Sequence, residues 1–204
     1  MKLKDYIKSD KLVVDINDED FESIIKNTKR FIKICDRNNL LLEFRYNNKK
    51  LSDNMLKKDI SNDLRDIITI MHAINIKDKY KRYDYIYDTV CGYLDEKIKT
   101  NYCQFKDDIC IKYRNKNQDH KNGCCECKGR GKCKYLIDSV CTMKSCMACK
   151  LFTCKTLRKM GIKENINDYV LIKYFLNTKE KDILKFSYWT PKEIVMQKIF
   201  KNVK

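Results

Sequence analysis

Residues 124–149 read CCECKGRGKCKYLIDSVCTMKSCMAC. Within this stretch Cys124, Cys127, Cys146 and Cys149 spell C-x2-C-x18-C-x2-C, the spacing of a four-thiolate metal site. Each C-x2-C pair forms a knuckle that aims two sulfurs at one point. A connection of about 15 to 20 residues is long enough for a hairpin or loop to bring two knuckles together. Ten of the twelve cysteines lie between residues 103 and 154, so the cluster dominates that half of the chain.

A disulfide framework is the competing use of so many thiols. The opening residues MKLKDYIKSDKLVVDINDED carry charges every few positions and no apolar core of a secretory signal, which argues for a reducing, cytoplasmic setting. Lysines and aspartates also interrupt every apolar run before it reaches the roughly 18 residues that span a bilayer. No membrane partner is expected.

The first metal site is therefore assigned to Cys124, Cys127, Cys146 and Cys149. Gly129 and Gly131 supply the freedom a tight reversal after the first knuckle needs. The second knuckle is expected to open a helix over 147–160, closed by Gly161, whose first-turn N–H groups would stabilise thiolates. Knuckle, connection, knuckle and helix resemble the treble-clef and zinc-ribbon class of modules, a resemblance of spacing over about 40 residues that implies no function. A second site is drawn from Cys103, Cys110, Cys133 and Cys141, with Cys125 or His120 as substitutes. Cys154 falls on the face of Met147 and Leu151 and is read as core. Zinc is the expected metal. The run Cys141-x4-Cys146-x2-Cys149 also matches a C-x4-C-x2-C iron–sulfur spacing, so an iron–sulfur protein with an electron-transfer or redox-enzyme role is the alternative.

The rest of the chain reads as mainly α, with a helical N-terminal half holding at most a short strand. One Pro and five Gly leave little turn chemistry for a many-stranded sheet. Helices are expected over 17–35, from Ser52 to about Asn75, and over about 77–99, with a half-buried strand at 40–47 that has no obvious hairpin partner. Their periodicity places Cys35 and Cys91 in the core, His72 beside an apolar face, and Tyr80, Tyr83 and Tyr87 on one stripe. Short helices follow at 167–177 and 180–187, and a last one opens at Thr190-Pro191-Lys192-Glu193, a capping-box pattern. This divides the chain into a helical domain at 1–100, a Cys-rich metal-binding module at 101–161, and C-terminal helices at 162–204 packing on either.

The net charge of +16 is unevenly spread: residues 1–100 carry 21 basic and 18 acidic side chains, residues 101–204 carry 23 and 10. Between 112 and 159 thirteen Lys or Arg, Lys150 among them, stand against three acids. Lys and Arg presented on a rigid metal module are a common means of binding DNA or RNA through phosphates. Lys128, Arg130, Lys132, Lys155, Arg158 and Lys159 are the expected contacts. A protein-interaction adaptor with a purely structural metal is the remaining alternative. With two histidines, no P-loop, no G-x-S-x-G and no G-x-G-x-x-G, the sequence offers no catalytic signature.

Overall fold

The computed structural model describes residues 4–57, 60–98, 105–106, 109–110, 136–137, 140–141, 146–153 and 155–201, with the backbone alone between 105 and 141. Helices hold most of these residues, but the N-terminal half contains a four-stranded mixed sheet, which overturns the expected helical half with at most a short strand. Strands β1 (Lys4–Lys8) and β2 (Lys11–Ile16) form an antiparallel hairpin, β3 (Leu41–Tyr46) lies parallel to β2, and β4 (Lys49–Lys50) turns back on β3. The expectation failed on its turn argument. Left-handed backbone is supplied here by Ser9 (φ 56°), Asn39 (φ 51°), Asn47 (φ 49°) and Asn48 (φ 62°) rather than by glycine, and Asn accepts that conformation because its short polar side chain bonds locally. The strand at 40–47 thus has a hairpin partner after all, reached through Asn47-Asn48.

A parallel pair needs a crossover, and the segment between β2 and β3 provides one. Asn17 and Asp20 cap each other around a 3-10 turn at Asp18–Asp20. Helices α1 (Phe21–Lys26) and α2 (Thr28–Arg37) follow, so the single helix expected over 17–35 is broken at Asn27. The helix expected from Ser52 starts ten residues later as α3 (Asn62–Asn75), capped by the Ser61 hydroxyl, which accepts from the Leu64 N–H at 3.3 Å.

Parallel register pairs Leu12 with Leu42 and Val14 with Phe44, and all four are buried. Phe31 meets Phe44 edge-on, ring centroids 5.7 Å apart at 81°, and Ile67, Ile68, Ile70 and Ile74 of α3 complete a core excluded from water. Positions between them alternate to the opposite face, where the Glu43 carboxylate is ringed by Arg45 at 2.8 Å and by Lys11 and Lys50 at 3.6 Å each. Asn75 satisfies the β3 backbone beside Leu42: its amide oxygen accepts from the Leu42 N–H at 2.6 Å and its amide N–H donates to the Leu42 carbonyl at 2.9 Å. Asn75→Ala would leave both groups without these bonds, and a stability loss of about 1–3 kcal/mol is expected in urea denaturation. No loss would show that water replaces the amide freely.

The fourth helix, α4 (Lys79–Ile98), is followed by two two-stranded ribbons, β5 (Phe105–Lys106) with β6 (Ile109–Cys110) and β7 (Leu136–Ile137) with β8 (Val140–Cys141). Then come α5 (Met147–Lys150), α6 (Lys155–Lys159), α7 (Val170–Phe175), α8 (Thr178–Phe186) and α9 (Lys192–Lys201). Two compact units result: Met1–Ile86 with Tyr169–Asn177, and Tyr87–Asp168 with Thr178–Lys204. In the first, the Tyr83 hydroxyl donates to the Phe175 carbonyl at 3.3 Å. In the second, Gly161 closes α6 at φ 81°, its N–H donating to the Arg158 carbonyl at 3.1 Å. Among the described residues no helix is long and apolar enough to cross a membrane.

Candidate metal centre

The second knuckle is built by α5 and its anchors. Cys146 precedes the helix, Cys149 lies within it, and both pack with Ala148 and Tyr188. Three contacts pin α5 to residues 87–98 of α4. The Met147 N–H donates to the Tyr87 hydroxyl at 3.1 Å, and the Lys150 ammonium, buried with α5, meets the Asp95 carboxylate at 2.5 Å and the Cys91 carbonyl at 3.5 Å. Burial pushes the Tyr87 hydroxyl well above its ordinary range, so it stays neutral and hydrogen-bonding.

The two sulfurs stand 3.1 Å apart, and Cys146 Sγ is fully buried 3.4 Å from the Ser187 carbonyl oxygen. That separation is far from the roughly 2.05 Å of a disulfide. Two sulfurs sharing one tetrahedral zinc ion, each at about 2.3 Å, would be about 3.8 Å apart, so metal binding would require the pair to open from its 3.1 Å separation. The loop between α8 and α9 closes over the pair. The Trp189 N–H donates to Cys149 Sγ at 3.3 Å, from a residue held at φ 54°, a left-handed conformation that costs a bulky side chain about 1–2 kcal/mol. The Cys146 thiol is lowered to about 6, chiefly by hydrogen bonding with Cys149, against the upward push of burial and with help from the backbone N–H groups of Cys149, Thr190 and Trp189. Two converging soft donors, one of which ionises readily, fit a thiophilic divalent ion.

The structure brings Cys146 and Cys149 together. Cys124 and Cys127, their expected partners, lie outside the described residues, as do Cys103, Cys133, Cys125, Cys154 and His120. Cys110 and Cys141, of the second expected site, end the second strands of the two ribbons, in matching registers opposite Phe105 and Leu136. The described residues contain no group of three or more His, Cys, Asp or Glu placed to hold a metal ion, and the resemblance to treble-clef and zinc-ribbon modules finds no support in them. The helix expected over 147–160 is also corrected. It is two short helices with an interruption after Lys150, and the Cys146 sulfur draws on the Cys149 N–H of α5 as well as on the N–H groups of Trp189 and Thr190 from the loop before α9.

Of the expected phosphate contacts, Arg158 and Lys159 are exposed at the end of α6, Lys155 begins that helix, and Lys128, Arg130 and Lys132 lie outside the described residues. Lys150 drops out of the basic face because its side chain is buried on Asp95. Cys35 and Cys91 are buried in their helices, and burial is the leading cause that pushes their thiols up to about 11 and about 12. His72 is half-buried, its Nδ1 2.6 Å from Asp53 Oδ2 and its ring stacked on Tyr85 at 4.4 Å. The Ser187–Thr190 loop lies just ahead of the helix start expected at Thr190-Pro191-Lys192-Glu193, a pattern that carries no information on the residues before it. Its one local signal is Pro191, which disfavours helical backbone at Thr190.

Comparison of the chain with protein-family models, with curated proteins and with solved structures finds no match.

Proposed function

We propose that this chain is a cysteine-ligated zinc protein whose second unit binds nucleic acid. Cys124, Cys127, Cys146 and Cys149 would hold one Zn2+, and Cys103, Cys110, Cys133 and Cys141 would supply a second site. The observation that carries the reading is the Cys146–Cys149 pair, with sulfurs 3.1 Å apart and the Trp189 N–H aimed at Cys149. When bound, the ion supplies cross-linking and charge neutralisation rather than a reaction. Such ligation requires reduced thiols, and the cytoplasm is the setting proposed.

The partner follows from charge. The second unit carries 24 basic against 13 acidic side chains, net +11, and a concentrated positive charge draws a polyanion through counterion release. If Lys128, Arg130, Lys132, Lys155, Arg158 and Lys159 touch phosphates, affinity for DNA or RNA falls by about 0.7 to 0.9 log units per log unit of salt for each contact. Replacing each by Ala is expected to reduce that slope, whereas replacing Lys150 is not, since its charge is held by Asp95. Salt-dependent fluorescence anisotropy measures both. An absence of binding at low salt, or a slope unchanged when all six are Ala, removes nucleic acid as the partner.

A further inference from the structure

Trp189 is the chain's sole tryptophan and is 50% exposed. Its left-handed backbone, φ 54°, is one that Gly or Asn would adopt more readily. Neighbouring bonds hold it there: its own N–H donates to Cys149 Sγ at 3.3 Å, the Tyr188 N–H donates to the Phe186 carbonyl at 2.9 Å, and the Thr190 hydroxyl donates to the Tyr188 carbonyl at 3.1 Å. A disfavoured conformation that its surroundings enforce points to a use for the side chain it displays.

The indole does not stand by itself. The Tyr188 ring is 5.7 Å away at 48°, and Phe152, 45% exposed, meets Tyr188 edge-on at 6.3 Å and 82°. The three rings come from two chain segments joined at the cysteine pair, since Phe152 follows Cys149 by three residues and Tyr188 packs on Cys146 and Ala148. An exposed aromatic surface of this kind serves either an apolar partner or the π-faces of bases. The charge of its unit, net +11, favours the ligand that offers π-faces and phosphates together. Bases inside a duplex are already stacked, so only unpaired bases can lie on the indole.

We propose that Trp189, with Tyr188 and Phe152, is a stacking platform for the unpaired bases of single-stranded nucleic acid, held in place by the Cys146–Cys149 pair. The proposal rests on the reading of the second unit as nucleic-acid-binding. Titrating the whole chain, as purified, with oligouridylate or oligothymidylate at low salt is expected to quench Trp189 emission saturably. Trp189→Gly, which suits the backbone at φ 54°, is expected to weaken single-strand binding about 5- to 100-fold while leaving metal content and binding of a fully paired duplex unchanged. Trp189→Phe is expected to keep most of the affinity. Wild-type single-strand affinity in Trp189→Gly, or unquenched emission at saturation, overturns the platform while leaving nucleic-acid binding standing. Loss of metal in both variants also overturns it, by showing the ring to be structural. If neither single strand nor duplex binds the wild-type chain, the underlying reading fails and the platform with it.

Discussion

Cys146→Ser is expected to release the metal and unfold the second unit, the largest effect of any single substitution in the chain. The binding free energy of a structural four-thiolate site, roughly 10 kcal/mol or more, is also folding free energy. A hydroxyl in place of the buried Cys146 sulfur could still reach the Ser187 carbonyl but cannot replace a thiolate ligand. Cys149→Ser should act alike and, in addition, lose the sulfur that receives the Trp189 N–H. Cys35→Ser and Cys91→Ser provide the contrast: both thiols are buried on helix faces and are assigned to the core rather than to the ligand set, so each should keep the metal and cost about 1–3 kcal/mol, the penalty of burying a hydroxyl. Metal content by elemental analysis, with circular dichroism for folding, reads both groups. Full metal content in Cys146→Ser, or loss of metal in Cys91→Ser, would contradict the ligand assignment.

Phe44→Ala is the second large effect, and it falls on the first unit. Phe44 is fully buried at the centre of β3, paired with Val14 across the parallel ladder and edge-on to Phe31. Truncation removes the apolar transfer energy and leaves a cavity that a sheet fixed on both sides cannot collapse, at a cost of about 3–5 kcal/mol. Chemical denaturation should show that loss with zinc content intact, because Cys146 and Cys149 belong to the second unit. A loss under about 1 kcal/mol would mean that the β2–β3 core is not the one described.

The parts of this fold that were legible in the sequence are those with a local signal. The 3.6-residue period placed Leu64, Ile67, Ile68 and Met71 of α3, and Tyr83, Tyr87, Val90, Cys91 and Leu94 of α4, in the core, where they are buried; Leu56 and Ile60, expected on the same face, precede α3 and are half-buried, and Tyr80 is exposed. The alternation at 40–47 revealed β3. What stayed hidden was non-local. The apolar run of β2, Leu12 to Ile16, is short, interrupted by Asp15 and bounded by Lys11 and Asn17, and its parallel partner β3 is reached only across two helices. The sheet's turns use Ser9, Asn47 and Asn48 in place of glycine, so a count of Gly and Pro concealed them. At the candidate site, C-x2-C spacing was enough to bring Cys146 and Cys149 together, because the residue that caps α5 and one in its first turn are close whatever the rest of the chain does. The N–H group that meets Cys149 comes from a residue 40 positions away, and no periodicity could have announced it.

Elemental analysis of anaerobically purified protein, combined with its visible spectrum, tests most directly whether the cysteines hold zinc. The prediction is a colourless protein carrying about one to two equivalents of zinc and little iron. A brown protein absorbing near 400 nm, with iron and acid-labile sulfide at comparable stoichiometry, would contradict it and assign the same cysteines to an iron–sulfur cluster.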